Sequence, residues 1–441
     1  MRFAKGEKQL FVSECFKVNG KGNLTIGGCD TVSLAKEFGT PLYVIDEEQI
    51  RKNCNIYKNA LNKYYDGKGL PIYASKALNC KEICRIIKDE GMGLDVVSEG
   101  ELYTALKAGF PAERIHFHGN NKTLQELEMA INSGVGRIVV DNTDELSTIN
   151  EICIKKGISI NISIRIRPGV VAHTHKSITT GQIDSKFGFA LQTGEAMDAV
   201  KKICGLSNVN LKQIHCHIGS QIFGVEPFEQ AALVMLNFIK DIRDECGLEI
   251  DELNLGGGFG IRYTQEDDNI DYDKNIEHVA NTIKSIVSQL KIKMPFIYME
   301  PGRSIVGGAG LTLYTVGNIK HIPEVRTYVS VDGGMCDNPR YALYKSKYSA
   351  AVANKAEKMA DTKVTIAGKC CESGDIIQED TLIQKPEKGD ILAVFSTGAY
   401  NYSMASNYNR IPKPAMVMTN NGQARLIVKR QSLDDLICND I

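Results

Sequence analysis

Between residues 72 and 300 the chain alternates short β-type runs with longer amphipathic stretches. Each run is short and rich in β-branched, aromatic or other apolar residues, which is typical of buried strands. The runs are "IYASK" (72–76), "LDVV" (94–97), "IHFH" (115–118), "RIVVD" (137–141), "INISIRIR" (160–167), "LKQIHCHI" (211–218), "ELNLGG" (252–257) and "FIYME" (296–300). Eight such runs with helices between them favour a closed (β/α)8 barrel, an α/β fold, over an open doubly wound sheet.

The stretches between these runs carry helix-terminal signals. "KEICRIIKDEG" (81–91) and "TLQELEMAINSG" (123–134) end in glycine, which is a helix-stop signal. "TDELSTINEICIKKG" begins at Thr143 and has two acidic residues in its first turn, which predicts a weak capping box at that threonine. "NIEHVANTIKSIVSQLK" is also amphipathic, and an earlier helix is predicted over roughly 47–64.

After about residue 305 the pattern becomes strand-like, with few helical stretches. "TNNGQ" (419–423) is a hairpin turn signal, and "GNLTIGGCD" near the N-terminus has the same strand-like character. We therefore predict a barrel over 46–305 and a second, all-β domain built from both chain ends, 1–45 and 306–441. The strand-like runs of its C-terminal part are "LTLYTVGNIK", "TYVSVDGG", "KVTIAGK", "DILAVFSTG" and "ARLIVKR".

One connection, 168–190, is unusually long, and loops of that length usually serve a function or are mobile. It contains "HTH" (173–175), the histidine pair that a metal-dependent enzyme would have to use. Because no acidic cluster accompanies them, a metal-dependent barrel hydrolase fits the sequence poorly, and no metal is predicted.

Composition and charge limit the classes of function. The chain has 441 residues, which favours two domains, and its net charge of −1 gives no electrostatic case for a nucleic acid or membrane partner. Thirteen cysteines without a C-x-x-C spacing disfavour zinc and indicate buried thiols in a reducing compartment. The N-terminal residues show no apolar secretion signal, so we expect a cytoplasmic protein.

Polar and charged residues collect where the predicted strands end. In a (β/α)8 barrel the carboxyl ends of the strands build the active site. Three adjacent glycines at 256–258 let backbone N–H groups approach an anion closely, and Ser220 adds a hydroxyl. A phosphate-bearing ligand is therefore predicted. The alternative is that the glycines only make tight turns. The residues at these ends are Lys76, His118, Arg165, Arg167, His217, "GGGFG" (256–260) and "EPGR" (300–303).

A lysine opposite a phosphate site suggests a Schiff base between Lys76 and pyridoxal phosphate. Glu300 would then face the pyridine nitrogen and keep it protonated, and His217 would stack on the ring. The alternatives are a lysine that only pairs with phosphate or extends to solvent, and a structural histidine at 217.

At this point several motifs, in order, resemble those of the diaminopimelate decarboxylases, which are pyridoxal-phosphate enzymes with an alanine-racemase-like barrel and β domain. The resemblance spans roughly residues 73 to 409 and implies decarboxylation of meso-2,6-diaminopimelate to L-lysine, the last step of lysine biosynthesis. The motifs are "YASKA", "GLDVVSEGEL", "HCHIGSQ", "NLGGGFG", "EPGRSIVG", "DGGMCDNPRYALY", "CCESGDII" and "GAYNYSMASNYN".

The resemblance implies a role for each matching residue. Lys76 would hold the cofactor covalently, with Asp95 as nearby support, His217 stacked on the ring and Glu300 at its nitrogen. The phosphate would be held by Ser220, Gly258 and the backbone of Gly302 and Arg303. Substrate contacts would come from Arg303, Arg340, Tyr344, Glu372 and Tyr400, and Cys371 would be the proton donor. In this family the Cys–Glu segment reaches the active site of the opposite subunit, so a homodimer with shared sites is implied.

The chemistry agrees with these roles. Two arginines and one glutamate match a second carboxylate and a second ammonium, the charge pattern of a diamino diacid. A thiol is a suitable acid for returning a proton to the substrate near neutral pH. Without the resemblance, Arg340 and Tyr344 could belong to a solvated loop, and Cys371 could be an ordinary buried thiol.

Three rival interpretations keep the same fold. An ornithine- or arginine-type decarboxylase acts on substrates without a distal carboxylate, for which two cationic arginines would be unhelpful. An alanine-racemase-like enzyme would use a tyrosine as its second acid or base, without the Cys–Glu pair. A non-catalytic cofactor-binding homologue would be favoured if Lys76 or Cys371 were missing, and both are present.

Overall fold

The computed structural model describes residues 11–170 and 185–441. Most of the long predicted connection, including the "HTH" sequence at 173–175, lies outside the described residues. Within the described part of the chain, no helix combines the length and the apolar character needed to cross a membrane.

The chain divides into two compact units. The barrel unit contains residues 53–260 and 270–302. The terminal unit contains the other described residues, from both ends of the chain, together with the short segment 261–269. The division falls after residues 52 and 302, where the sequence pattern predicted boundaries after residues 45 and 305, and no sequence signal marked 261–269 as part of the terminal unit.

The N-terminal part contains three short strands and a helix that the sequence pattern did not indicate. That helix begins after Asp30, whose carboxylate accepts hydrogen bonds from the backbone N–H groups of Val32 and Ser33 at 2.9 and 3.0 Å. The second helix agrees with the predicted one. The elements are β1 (Phe16–Val18), β2 (Leu24–Ile26), β3 (Cys29–Asp30), α1 (Thr31–Phe38), β4 (Leu42–Asp46) and α2 (Glu47–Tyr64).

Eight parallel strands close into a barrel, as predicted. Neighbouring strands pair in parallel around the ring, and closure comes from the pairing of the last strand, Phe296–Met299, with the first, Gly69–Ala74. A ninth, two-residue strand extends the edge beside Ile160–Arg167. The strands are β5 (Gly69–Ala74), β6 (Gly93–Val96), β7 (Ile115–Phe117), β8 (Arg137–Val140), β9 (Ile160–Arg167), β10 (Phe189–Ala190), β11 (Val209–Cys216), β12 (Glu252–Asn254) and β13 (Phe296–Met299).

Most residues of the barrel strands are buried, because side chains fill the interior and helices cover the outside. Seven of the eight strands end one to three residues before the predicted boundary. Lys76 therefore lies in a 3₁₀ turn, Ser75–Ala77, that follows β5, rather than on the strand itself. All eight carboxyl ends remain at one edge of the barrel.

The barrel helices begin and end at specific capping residues. Thr123 and Glu126 form a complete capping box, and Gly134 ends the same helix in a left-handed conformation. The predicted cap at Thr143 is wrong: Asn142 has the extended backbone and its side chain accepts from the N–H of Glu145 at 2.9 Å. The helices are α3 (Lys81–Asp89), α4 (Glu99–Lys107), α5 (Leu124–Ser133), α6 (Thr143–Lys156), α7 (Glu195–Cys204), α8 (Glu226–Cys246) and α9 (Tyr272–Leu290).

The terminal unit is built from both chain ends, as predicted. Strand β4 pairs antiparallel with Gly310–Ile322 and parallel with Ala415–Asn420, so N-terminal and C-terminal residues share one sheet. The remaining elements are α10 (Arg303–Val306), β14 (Gly310–Ile322), β15 (Arg326–Val331), α11 (Arg340–Tyr344), β16 (Ala350–Val352), β17 (Thr362–Ala367), β18 (Ile376–Ile383), β19 (Ile391–Phe395), β20 (Ala415–Asn420), β21 (Gln423–Val428) and α12 (Leu433–Ile437).

The predicted hairpin turn at 419–423 joins β20 to β21. Asn421 and Gly422 have φ angles of 49° and 77°, the positive values that a two-residue hairpin turn of this kind requires. Asn420 and Gln423 pair across it. The Asn-Gly sequence therefore fixes the register of these two strands.

Candidate active site

Lys76 is the exposed residue of an otherwise buried turn at the carboxyl edge of the barrel. The backbone next to it meets the loop after β13, since the N–H of Ala74 donates to the carbonyl of Pro301 at 3.1 Å. A Cβ atom at position 302 would lie 2.9 Å from Cβ of Ala74, closer than real Cβ contacts allow. Gly302 thus permits the lysine turn and the "EPG" loop to pack together.

Glu300 is buried, and polar side chains contact both of its carboxylate oxygens. Its Oε1 lies 2.9 Å from Nε2 of His118 and accepts a hydrogen bond from the amide of Asn254 at 2.8 Å. Its Oε2 lies 3.0 Å from Nε2 of His215. Burial alone would raise the pKa of Glu300, but the two histidines outweigh it and hold the pKa well below its usual range. Glu300 is therefore a fixed anion.

Asp95 lies on β6 and is buried in the same part of the barrel. Burial raises its pKa to about 6, against the opposing charges of His118 and Lys76. One carboxylate oxygen of Asp95, Oδ1, has no hydrogen-bond partner among the described residues. Burial also lowers the pKa of His116, on the adjacent strand, to about 3, so that histidine is neutral at pH 7.

His217 is held as a neutral ring at the end of β11. The backbone N–H of Gly257 donates to Nδ1 of His217 at 3.3 Å, so the ring proton is on Nε2. Burial, together with the charges of Lys76 and Arg165, lowers the pKa of His217 well below its usual range. A neutral imidazole with a fixed tautomer follows from these contacts.

The glycine-rich loop after β12 interlocks with its neighbours. A Cβ at Gly257 would overlap the carbonyl oxygen of Glu300, and a Cβ at Gly258 would overlap that of Gly219. Gly258 also has a φ of 108°, a conformation that side chains other than glycine rarely adopt. Ser220 lies in the adjoining loop and is half-buried. The sequence thus brings these three loops into backbone contact, and no helix begins at "GGGFG", as expected.

The two arginines of β9 have different surroundings. The guanidinium of Arg165 lies 4.2 Å from the ring centre of Phe187, and burial lowers its pKa. Arg167 pairs with Glu195 at 2.9 Å and donates to the carbonyl of Ser185. Arg167 is therefore explained by local structure.

In the terminal unit, four of the five predicted substrate residues form one cluster of two arginines and two tyrosines. Arg303 and Arg340 lie 4.6 and 5.5 Å from the ring centre of Tyr400, and Arg340 lies 5.4 Å from that of Tyr344. Both arginines are buried. Nε of Arg340 has no hydrogen-bond partner among the described residues. Two cations held by tyrosines are suited to bind a carboxylate.

Tyr263 joins this group from the segment 261–269, and sequence reasoning did not find it. Its hydroxyl accepts a hydrogen bond from Arg303, and its ring packs edge-on against Tyr348 at 5.1 Å. No strand or helix pattern marked this segment, so no signal in the sequence indicated its place in the terminal unit.

Cys371 and Glu372 are exposed in the loop between β17 and β18. The N–H of Cys371 donates to the side chain of Asn409 at 2.8 Å, and Glu372 accepts from the N–H of Gly374 at 3.3 Å. Within the described part of the chain, no hydrogen bond, ion pair or ring contact links either side chain to the arginine–tyrosine group.

Known proteins resemble the chain over nearly its whole length. Residues 47–307 match the family model described as pyridoxal-dependent decarboxylase, pyridoxal binding domain. A diaminopimelate decarboxylase of Bacillus methanolicus is 52% identical over 417 residues, which cover 95% of this chain and 96% of the relative. The chain belongs to the diaminopimelate decarboxylase family. The Bacillus subtilis enzyme of that name is 48% identical, with 98% of both chains covered.

A solved structure of a diaminopimelate decarboxylase agrees with the fold. The crystal structure of the M. jannaschii enzyme in co-complex with L-lysine has a TM-score of 0.89 and 38% identity, covering 97% of this chain and 98% of that one. The predicted family and the predicted barrel-plus-β fold are confirmed. The predicted cofactor, pyridoxal phosphate, is confirmed by the family match.

Three buried side chains of this diaminopimelate decarboxylase family member are close enough together to bind a metal ion, with their ligand atoms within 4.8 Å of one another. They are His118, His215 and Glu300. The 2.9 and 3.0 Å distances between the imidazole nitrogens and the carboxylate oxygens are those of direct contacts, and they account for the arrangement without an ion. Sequence reasoning noted His118 as a strand-end residue but did not identify either histidine as a partner of Glu300. A signal existed for His215, because it lies two residues before His217 in a predicted strand, and residues two apart in a strand face the same side.

Proposed function

We propose that this chain is a pyridoxal-phosphate enzyme that decarboxylates meso-2,6-diaminopimelate to L-lysine and carbon dioxide. The observation that carries the proposal is the arrangement at the carboxyl edge of the barrel, where an exposed lysine, a neutral histidine and a buried glutamate anion lie beside interlocked glycine loops. The family relationship supports the substrate, and the fold supports the cofactor.

The barrel edge fits the cofactor chemically. Lys76 offers an exposed amine for covalent attachment, and Asp95 has a buried oxygen without a partner among the described residues. When bound, pyridoxal phosphate supplies an electron sink for the electron pair left behind when carbon dioxide departs. Ser220, Gly258, Gly302 and the backbone of Arg303 would hold its phosphate.

Two barrel residues would tune and orient the cofactor. Glu300, kept anionic by His118 and His215, would accept a hydrogen bond from the ring nitrogen and keep it protonated. His217 would cover one ring face, and its fixed neutral form avoids placing a second positive charge against a cationic ring. Asp95 would support this region from the neighbouring strand.

Residues of the terminal unit would bind the distal groups of the substrate. Arg303, Arg340 and Tyr344 would bind its distal carboxylate, Glu372 its distal ammonium, and Tyr400 would lie beside cofactor and substrate. The unpartnered Nε of Arg340 supports this role, because a buried N–H donor without an acceptor is costly unless a ligand supplies one. In this proposal most cofactor contacts come from the barrel unit, and the substrate contacts come from the terminal unit.

Cys371 would donate the proton that replaces the departed carboxylate, and we propose that it does so in the partner subunit of a homodimer. The exposure of Cys371 and Glu372 supports a role toward a second copy of the chain. The thirteen cysteines are all unpaired, which supports a reducing compartment such as the cytoplasm.

The direct test is a substrate panel that follows carbon dioxide release with and without added pyridoxal phosphate. The expected result is cofactor-dependent release from meso-2,6-diaminopimelate, with release from ornithine, arginine and alanine at least about 100-fold slower. Faster release from ornithine or arginine would favour the rival decarboxylase class. A protein that binds cofactor but releases no carbon dioxide from any substrate would be the non-catalytic homologue.

The substitution Arg340→Ala is expected to reduce kcat/KM for diaminopimelate about 10- to 100-fold, mainly through KM, because a charge-assisted contact with the distal carboxylate is lost. The small residual activity on ornithine, which lacks that carboxylate, should change less than about threefold. Steady-state kinetics on both substrates provide the measurement. Arg326→Ala is the matched control, since that arginine pairs with Glu379. Equal losses on both substrates would contradict the assignment.

The substitution Glu300→Gln is expected to lower kcat about 10- to 1,000-fold, because a neutral amide no longer keeps the ring nitrogen protonated. Since the pKa of Glu300 is held well below its usual range, its charge is constant in neutral solution. The loss should therefore be the same from about pH 6 to about pH 8. Rates and visible absorbance across that range test this, with exposed Glu128→Gln as the control. A loss confined to one end of the range would argue against a permanent anion.

A further inference from the structure

Asp375 is a buried carboxylate that the proposed machinery does not use. It follows Cys371 by four residues and is 3% exposed. Each of its oxygens accepts a backbone hydrogen bond from a different segment: Oδ1 from the N–H of Met335 and Oδ2 from the N–H of Cys370, both at 2.6 Å. One side chain thus joins the "DGGMCDNPRYALY" segment to the "CCES" segment.

The backbone around Asp375 closes the same loop. Its carbonyl accepts from the N–H of Gly368 at 2.9 Å, and its N–H donates to the carbonyl of Glu372 at 3.0 Å. Lys369 donates to the carbonyl of Gly333 at 2.8 Å, a second link between the two segments. Backbone hydrogen bonds therefore hold both ends of the loop that carries Cys371.

The space around the carboxylate allows little else. A Cβ at either Gly334 or Gly368 would overlap the carboxylate of Asp375. Both carboxylate oxygens accept a hydrogen bond from a backbone N–H. In asparagine an NH2 group replaces one of these oxygens, so two hydrogen-bond donors would face each other. Aspartate is the residue that fits this space and both donors.

A second side chain holds the next amide along the loop. The N–H of Cys371 donates to Oδ1 of Asn409 at 2.8 Å. Asn409 has a φ of 52°, a conformation that asparagine tolerates better than most residues. The amides of Cys370 and Cys371 are thus held in succession, by Asp375 and then by Asn409.

We propose that Asp375 and Asn409 are positioning residues that fix the Cys371–Glu372 segment relative to the segment that carries Arg340. This inference rests on the proposed function. Met335 lies five residues before Arg340, and Cys370 immediately precedes Cys371, so the carboxylate of Asp375 connects the proposed proton donor to the proposed carboxylate-binding arginine. Displacements of about 1 Å at such groups reduce rates by about 100-fold.

The kinetic test is a mutant cycle with holoenzyme and diaminopimelate. Asp375→Asn and Asn409→Ala should each lower kcat about 10- to 100-fold and leave the cofactor absorbance unchanged. In the Cys371→Ala background each should change kcat less than about threefold, because no proton donor is left to position. Asn409→Asp, which keeps the acceptor oxygen, should restore most of the rate. Asp361→Asn, an exposed aspartate of the same unit, is the matched control.

If Asp375→Asn and Asn409→Ala lower kcat equally in the wild-type and Cys371→Ala backgrounds, their role is merely structural and the proposal is overturned. An unchanged kcat in both variants would also overturn it. If Asp375→Asn fails to fold, the exposed Asn409→Ala and Asn409→Asp pair decides by the same cycle.

Amide hydrogen exchange gives a measurement that does not depend on activity. In Asp375→Asn the amides of Met335 and Cys370 should exchange at least about tenfold faster, and unchanged exchange would overturn the proposal. If the wild-type chain releases no carbon dioxide from diaminopimelate, the proposed function fails separately, and the exchange result still decides whether Asp375 anchors the loop.

Discussion

Replacing Lys76 with alanine is expected to lower turnover at least about a thousandfold, the largest effect of any single substitution in this chain. The turn Ser75–Ala77 presents this amine to open space while its neighbours are buried, and Gly302 lets the "EPG" loop approach it. Removing the amine deletes the covalent attachment point of the cofactor and leaves the surrounding backbone unchanged. Turnover of diaminopimelate with saturating pyridoxal phosphate is the measurement.

Borohydride gives this prediction a chemical readout. Reduction makes a bond between a lysine amine and an aldehyde permanent, so peptide mapping of treated wild-type protein should find the cofactor on Lys76. The Lys76→Ala protein should carry none. Lys81→Ala, an exposed lysine at the start of α3, is the matched control and should keep both label and activity. Label on another lysine of the wild-type protein would refute the assignment.

The barrel and its reactive edge could be predicted because both depend on local pattern. Buried parallel strands are continuous apolar runs, so eight of them were countable in the sequence. Parallel strands in a closed barrel end at one edge, so Lys76 and Glu300 could be assigned to the same site without any knowledge of their contacts. The position of Lys76 in a 3₁₀ turn was missed, because "YASKA" has no residue that marks the end of the strand.

The contacts that tune the site could not be predicted, because they join residues distant in sequence. Glu300 meets His118 and His215 across the barrel, and which strand ends face each other depends on the register of closure. Tyr263 reaches Arg303 only because 261–269 leaves the barrel unit, which no propensity in that segment signals. Asp375 likewise acts through backbone amides, whose partners have no sequence signature.

Replacing Cys371 with alanine is expected to lower kcat at least about 100-fold while the cofactor absorbance stays intact. The thiol is exposed, and its backbone N–H is held by Asn409, so the loop keeps its path when the sulfur is removed. The lost function is proton delivery to the carbon that carried the carboxylate. Steady-state kinetics provide the measurement, and Cys438→Ala, another exposed cysteine of the terminal unit, is the control. Unchanged turnover would exclude Cys371 as the donor.

Mixing two inactive variants determines in which subunit Cys371 acts. In a dimer of one Lys76→Ala and one Cys371→Ala chain, donation across subunits leaves one site with both a lysine and a thiol. Random exchange of chains should therefore restore about a quarter of the wild-type rate. Donation within a chain leaves every site lacking one group, and no activity returns. Recovery thus requires Cys371 of one chain to protonate substrate in the site that contains Lys76 of the other chain, which is consistent with an exposed thiol on a loop held by hydrogen bonds.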